Sequence, residues 1–366
     1  MAKDTVVTNI IYGLLKKILS VDESNSVDIG EPKKILIVRQ HNQLGDLLTD
    51  VSLSRAIKEK YPDCHITLIV SPFNYSGLIK NRFIDRLFIF DKTKLYSLSY
   101  ISTFLKLLRE KYDLAIVPVI VSISFTSNLI SRISNSKIRI GPESLNGQEN
   151  KSAFLFDRRV NMDWRKYPDS NVYEKSIDIL RPFGITTNNF KTEINFDEED
   201  LAVADSFINQ LDFTSGDLLI GLHVGAGKPP NRWALSRYTG LIKKLKYQFN
   251  TVLYITGSSA DNNEINYLKQ NIPFPLGIFL NKKITEVAAL ISKSDLFICN
   301  DTGIMHVAGS TDTPQISIFG PTNPFNWAPI GSNKYFIRKS GLIDDVTVQD
   351  VFDLCGNILL KNSERS

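Results

Sequence analysis

The stretch Asp295–Thr322, DLFICNDTGIMHVAGSTDTPQISIFGPT, decides how the rest of the chain reads. Leu296–Cys299 is a short apolar run with the length of a buried strand. Asn300, Asp301, Thr302 and Gly303 follow as a polar turn with helix N-cap chemistry. Ile304, Met305, Val307 and Ala308 continue as a short helix, Gly309–Pro314 breaks it, and Gln315–Phe319 reads as a second buried strand. The unit is strand–turn–helix–strand, with Asp-Thr-Gly between a strand's carboxyl end and a helix's amino end. Unpaired N–H groups and the positive end of the helix dipole favour an anion there. Ligands in open α/β sheets bind at such ends, and Gly303 permits close backbone approach. A phosphate or diphosphate on this turn is one reading; an ordinary βαβ turn capped by Asp301 is the other.

The same rhythm runs through the chain. Strand signals fall at Lys33–Arg39, Ile66–Val70, Leu87–Phe90, Leu114–Pro118 and Ile138–Ile140. One helix is expected from Leu44 to about Tyr61 and another over Tyr100–Lys111. Gly141 to about Asp169 breaks the alternation. It carries Lys151, Arg158, Arg159, Arg165 and Lys166 among Phe154, Phe156 and Trp164. Either it is a mobile basic loop that meets an acidic substrate, or it is a solvated loop with packed aromatics. Val172–Phe183 and Leu201–Leu211 read as helices. A second alternating set starts at Leu218–Val224, continues through Val252–Thr256, and closes with the opening unit and a strand at Tyr335–Arg338. Helices near Ser236–Phe249, Asp261–Asn271, Thr285–Ser292 and Val346–Leu360 separate or follow these strands. The expected fold class is α/β, with two doubly wound parallel sheets facing a cleft.

A chain of 366 residues favours two domains, and 43% hydrophobic with 22% charged residues describes a soluble globular protein. A net charge of +4 does not call for nucleic acid. Cys64, Cys299 and Cys355 are few and far apart, which fits a reducing cytosol better than a disulfide framework. His41, His65, His223 and His306 lack metal-ligand spacing, so no metal is expected. Neither a signal peptide nor a membrane span is legible. Before the first strand, Ile10, Ile11, Leu14, Leu15, Ile18 and Leu19 follow helical spacing beside Lys16 and Lys17. That helix either packs on the protein or lies on an anionic membrane surface.

Four sets of residues carry candidate chemistry. Asp46 ends the loop after the first strand and opens a helix, with Gly45 beside it. Its carboxylate can take a proton from a substrate hydroxyl, or serve only as an N-terminal acid favoured by the helix dipole. His223–Trp233, HVGAGKPPNRW, follows the first strand of the second half. Gly225, Ala226 and Gly227 make a tight loop, and Lys228 and Arg232 add the positive charge a departing diphosphate needs. Pro229 after Lys228 excludes a Walker A loop. In the opening unit, His306 stands one helical turn after Thr302, placed either to bond a diphosphate or to shape the turn. Gly257, Ser258, Ser259 and Asp261 follow Val252–Thr256, as nucleoside contacts or as turn and cap residues.

Three anchors in order, ILIVRQHNQLGDLLTDVSLSRAIKEKYPDCHITLIV at 35–70, HVGAGKPPNRWALSRYTGLI at 223–242 and NDTGIMHVAGSTDTPQISIFGPTNP at 300–324, resemble glycosyltransferase family 9. These are the lipopolysaccharide heptosyltransferase-like enzymes. The resemblance implies a GT-B fold of two Rossmann-like domains, the first for the acceptor and the second for a nucleotide sugar. The corresponding division is 1–32 as helical extension and linker, 33–185 and 186–345 as the two domains, and 346–366 as C-terminal helix and tail. It also implies inverting transfer, usually from ADP-heptose, onto a lipopolysaccharide-core or lipid-linked acceptor, with no bound cofactor. The work would be cytoplasmic, with the inner membrane's cytoplasmic face as a peripheral contact. Carried over by position, Asp46 is the catalytic base. Thr302, Gly303 and His306 line the diphosphate, Asp301 supports their turn, and Lys228 or Arg232 supplies the cation. Asn231 stands where the best-studied branch has its phosphate lysine, and Ala234 where the family has Pro. The rival readings are a GT-B sugar-nucleotide epimerase and a non-catalytic nucleotide-sugar binding module.

Overall fold

The computed structural model describes residues 12–40, 43–73, 75–214 and 216–363, with side chains described as far as 360. The chain divides into two compact units between Phe190 and Lys191. Each is built on one sheet.

In the first unit the strands are β1 (Lys34–Arg39), β2 (His65–Val70), β3 (Arg86–Ile89), β4 (Tyr112–Ile116), β5 (Ser136–Leu145), β6 (Gln148–Glu149) and β7 (Arg158–Met162). They lie in the order β3-β2-β1-β4-β5, with β6 and β7 both paired to β5. Only the short β6 runs antiparallel among them. In the second unit β8 (Leu218–His223), β9 (Thr251–Gly257), β10 (Gly277–Leu280), β11 (Leu296–Asn300), β12 (Gln315–Ile318) and β13 (Lys334–Ile337) form an all-parallel sheet ordered β10-β9-β8-β11-β12-β13. Both orders reverse at one place, between β1 and β4 and between β8 and β11, which is the doubly wound Rossmann pattern.

The central strands form because they are apolar along their whole length. β1, β2, β8 and β11 are buried nearly throughout, as a parallel sheet covered on both faces requires. Helices cover those faces. Leu98–Leu108 lays Phe104, Leu107 and Leu108 on the first sheet with Leu36, Val38, Ile69 and Phe90. Leu235–Gln248 and the C-terminal helix Val348–Ser363 bury Tyr238, Leu241, Leu245, Val351 and Cys355 in the core of the second.

Some expected elements differ. The helix expected from Leu44 to Tyr61 is two helices, Leu44–Thr49 and Val51–Lys60, meeting at Asp50. The segment 141–169 is no loose loop. It contributes β6 and β7 and buries Phe154, Phe156 and Trp164. Two of its cations are paired, Arg159 with Glu23 and Arg165 with Asp163. Val160 and Met162 alternate inward between polar neighbours, a half-polar edge-strand pattern without an apolar run. The helix expected over Val172–Phe183 is one turn, Val172–Lys175, then looser turns ending at Arg181–Phe183, where Pro182 cannot continue a helix. Strand β10 is short and follows a proline-rich run, which hides it in the sequence.

Residues 12–19 are helical and held on the first unit. Tyr12 meets Phe125 edge-on at 5.2 Å, and Arg132 donates to the Leu19 carbonyl at 2.6 Å. Ile10 and Ile11, part of that helix's expected spacing, lie outside the described residues. Among the described residues no helix is long and apolar enough to cross a membrane.

Gly221, mid-β8, tests the second core. A Cβ there would lie 2.3 Å from the Tyr254 hydroxyl and 2.7 Å from the Phe297 ring. The Tyr254 hydroxyl is itself bonded to Ser294 at 2.8 Å. Gly221→Ala should cost about 1–3 kcal/mol in urea unfolding. An unchanged midpoint would contradict this account of the packing.

Candidate functional site

Each reversal of strand order is closed by one buried polar side chain at the end of a central strand. In the second unit it is Asn300, fully buried at the end of β11. Its amide donates to the carbonyls of Val224 at 2.9 Å and Gly225 at 3.2 Å. Its oxygen accepts from the Tyr238 hydroxyl at 3.0 Å and the Trp233 backbone N–H at 3.3 Å. One side chain thus ties the loop after β8 to the turn after β11. Asn231 adds a second tie, donating to the Asp301 carboxylate at 2.8 Å and its carbonyl at 3.2 Å. The sequence offered one sign of the first tie: a polar residue ending an otherwise apolar run, LFICN. For Asn231 it offered only a departure from the family pattern.

The turn so fixed opens the helix Gly303–Gly309, with Thr302 as its N-cap. Thr302 makes no side-chain capping bond, and its backbone is extended. The first N–H groups of a helix have no carbonyl behind them. Asp301 packs under the turn. Burial pushes its carboxyl up, while the Thr322 hydroxyl and the Lys228 ammonium oppose that shift. His306 is buried and meets Trp327 edge-on at 6.5 Å. Burial lowers it to about 4, so the ring is a neutral imidazole. In that state it can donate a hydrogen bond but cannot act as a cation.

The two candidate cations differ. Arg232 is committed, its Nε donating to the Ala226 carbonyl at 2.7 Å and its Nη1 paired with Glu264 at 3.1 Å. Lys228 is exposed, just before Pro229–Asn231, and forms no ion pair among the described residues. Gly225 lies against the residues that follow β9: a Cβ there would sit 2.1 Å from an Asp261 carboxylate oxygen and 3.3 Å from His223 Nε2. Gly227 faces open space. Ser258 and Asp261 form a reciprocal cap, with the Ser258 N–H donating to Asp261 at 2.8 Å. Gly257 closes β9 just before them. His223 is held by the Thr256 carbonyl at 3.0 Å, and burial keeps it neutral.

In the first unit Arg39 has the bridging place, buried at the end of β1. It pairs with Asp50 at 2.5 Å, donates to the Pro118 carbonyl just beyond β4 at 3.2 Å, and reaches the Asp46 carbonyl at 3.5 Å. Asp46 is buried in the first turn of Leu44–Thr49, beside Gly45. Asp50 is pushed up to about 6 by burial, with Asp46 adding to the rise and Arg39 opposing it. Two acids therefore bracket this short helix, Asp46 in its first turn and Asp50 at its C-cap, and Arg39 pairs with Asp50 and reaches the Asp46 carbonyl. His41 and Asn42, which precede them, lie outside the described residues.

Two measurements test this geometry. Asn300→Asp turns a donor pair into a carboxylate facing two carbonyls, and should cost at least about 2 kcal/mol in urea unfolding; a loss near zero would deny the tie. For His306 the unfolded ring, near 6.5, binds a proton that the folded ring refuses until about 4. Its share of stability is full above pH 6.5 and is lost as pH falls toward 4, about 2 kcal/mol of it between pH 7 and 5. His306→Gln should flatten that part of the pH profile. An unchanged slope would contradict burial as a neutral ring.

Comparison with known proteins agrees with this architecture. The family model described as glycosyltransferase family 9 (heptosyltransferase) matches residues 101–350. The Escherichia coli lipopolysaccharide heptosyltransferase 3 is 25% identical over 304 residues, covering 79% of this chain and 84% of that protein. Among solved structures, a family 9 glycosyltransferase from Veillonella parvula DSM 2008 superposes with a TM-score of 0.78 at 18% identity, covering 93% of this chain and 99% of that one. The E. coli ADP-heptose lipopolysaccharide heptosyltransferase II superposes with a TM-score of 0.73 at 20% identity, covering 90% and 99%. With the family model spanning well over half its length, the chain belongs to glycosyltransferase family 9 and is a glycosyltransferase of GT-B fold.

Proposed function

We propose that this enzyme transfers heptose from ADP-heptose, with inversion at the anomeric carbon, to a lipopolysaccharide-core or related lipid-linked glycan at the cytoplasmic face of the inner membrane. The observation that carries the reading is the tied pair of loops at the β8–β11 reversal, where an Asp-Thr-Gly turn and an exposed lysine share one strand end. The donor named for the E. coli heptosyltransferase II, ADP-heptose, supports the choice of nucleotide sugar.

In this reading Asp46 takes the proton of an acceptor hydroxyl as that oxygen attacks the anomeric carbon. The bond from that carbon to the diphosphate breaks, and ADP leaves with both electrons. Its charge is received by the amides at Thr302–Gly303 and by Lys228. His306 holds the turn and offers a neutral donor. Asp301 and Asn231 keep the turn in place, while Arg232 keeps the loop in shape. Gly225 and Gly227 leave room for the loop's course, and Gly257, Ser258 and Asp261 border the nucleoside. Asp50, held by Arg39, carries a carboxyl next to the base and tunes it. An epimerase reading would need no acceptor.

Transfer from ADP-heptose to a truncated core acceptor tests this. Asp46→Asn should lower kcat by about 10²–10⁴, the usual share of a general base, with the fold retained. Lys228→Ala should lower kcat/KM by about 10–100-fold, the loss of one charge-assisted contact, and Arg232→Ala should act mainly on stability. Near-normal transfer by Asp46→Asn, or conversion of the donor sugar without any acceptor, would overturn the assignment.

A further inference from the structure

The helix Leu98–Leu108 is two-faced. Its inner face, Phe104, Leu107 and Leu108, is buried on the first sheet, with Phe104 tilted against Phe90 at 4.7 Å and stacked on Phe88 at 5.5 Å. Its outer face carries Leu98, half-buried Ile101 and Leu105 at helical spacing, along one side of about two turns. Leu98 is 83% exposed, Tyr96 in the preceding turn 87%, and Leu95 43%. A stripe of large apolar side chains left in water is informative, where a single exposed leucine is not.

The charges around that stripe have one sign. Lys92, Lys94, Lys106, Arg109 and Lys111 are all exposed, and none forms an ion pair among the described residues. The acids nearby are in use. Glu110 is held by Lys34 and Arg86, and Asp91 caps the turn Lys92–Lys94 through Thr93. Unspent positive charge beside an apolar ridge matches a surface that is anionic at its face and apolar just beneath. Placement fits as well. The segment leading into the helix follows the carboxyl end of β3, and Asp46 follows the carboxyl end of β1 in the same sheet.

We propose that the outer face of Leu98–Leu108, with Leu95 and Tyr96, is the surface by which this enzyme docks on an anionic lipid bilayer. Leu98, Ile101 and Leu105 enter the headgroup boundary, and Lys94, Lys106 and Arg109 meet lipid phosphates. This deepens the reading of a lipid-linked acceptor, since docking would bring the first unit to the membrane that holds it. The helix at residues 12–19 is a weaker match. It is held on the protein by Arg132 and Phe125, with Lys16 and Lys17 as its basic pair.

The test is co-sedimentation of the full chain with vesicles of phosphatidylcholine alone and of phosphatidylcholine mixed with phosphatidylglycerol. The wild type should bind the mixed vesicles, release in high salt, and ignore the neutral ones. The double variants Leu98→Ser/Leu105→Ser and Lys106→Glu/Arg109→Glu should each partition at least about tenfold less. Both should keep the wild-type melting profile and the wild-type rate on a delipidated acceptor. Lys16→Glu/Lys17→Glu should bind as wild type. The proposal is overturned if the wild type ignores anionic vesicles or binds neutral ones equally well. Helix variants that bind normally, or loss confined to Lys16→Glu/Lys17→Glu, would also overturn it. So would a dimer that Leu98→Ser/Leu105→Ser dissolves, because the face would then belong to a second copy. Vesicle binding needs no glycosyl transfer, so an inactive wild type that still docks would count against the functional reading alone.

Discussion

A parallel sheet ends its central strands in a gap, and a buried side chain must bridge that gap before anything can be built over it. Here Asn300 does so in the second unit. A single amide serves two carbonyls, a hydroxyl and a backbone N–H, in full burial. Buried polar groups with every valence used are stiff, because each alternative arrangement leaves one of them unsatisfied. The loop from Val224 to Trp233 and the turn at Asp301–Gly303 therefore hold one relative position. A site for a charged leaving group depends on that fixity, since preorganised dipoles stabilise developing charge without moving first.

Arg39 solves the same problem in the first unit with different chemistry. It spans from Asp46 to Pro118 and pairs with Asp50. The bridging atoms are charged here, and the carboxyl beside them is pushed up to about 6. Neutral staple and charged staple suit the tasks proposed for the two units. A diphosphate is best received by amides and one free cation, whereas a proton is best taken by an acid whose neighbours set its basicity.

Much of this was legible in the sequence. The parallel strands are near-continuous apolar runs, so β1, β2, β8, β11 and β12 could be read almost to the residue. The turn chemistry of Asn300–Gly303 marked where β11 ends and the next helix begins. What stayed hidden was whatever long-range contact decides. β7 pairs on an edge with half-polar residues, and β10 is four residues in proline-rich surroundings. Asn300 read as part of a polar turn, because only the folded chain brings Val224, Gly225, Trp233 and Tyr238 around it. The choice between Lys228 and Arg232 was open for the same reason: Glu264 and the Ala226 carbonyl, which engage the arginine, are neighbours in space.

The most direct measurement is a crystal structure of the enzyme with ADP. The account requires the diphosphate to lie within hydrogen-bonding distance of the backbone amides at Thr302 and Gly303, with the Lys228 ammonium on its oxygens. A diphosphate bound elsewhere, with that turn empty and Lys228 pointing into solvent, would contradict it.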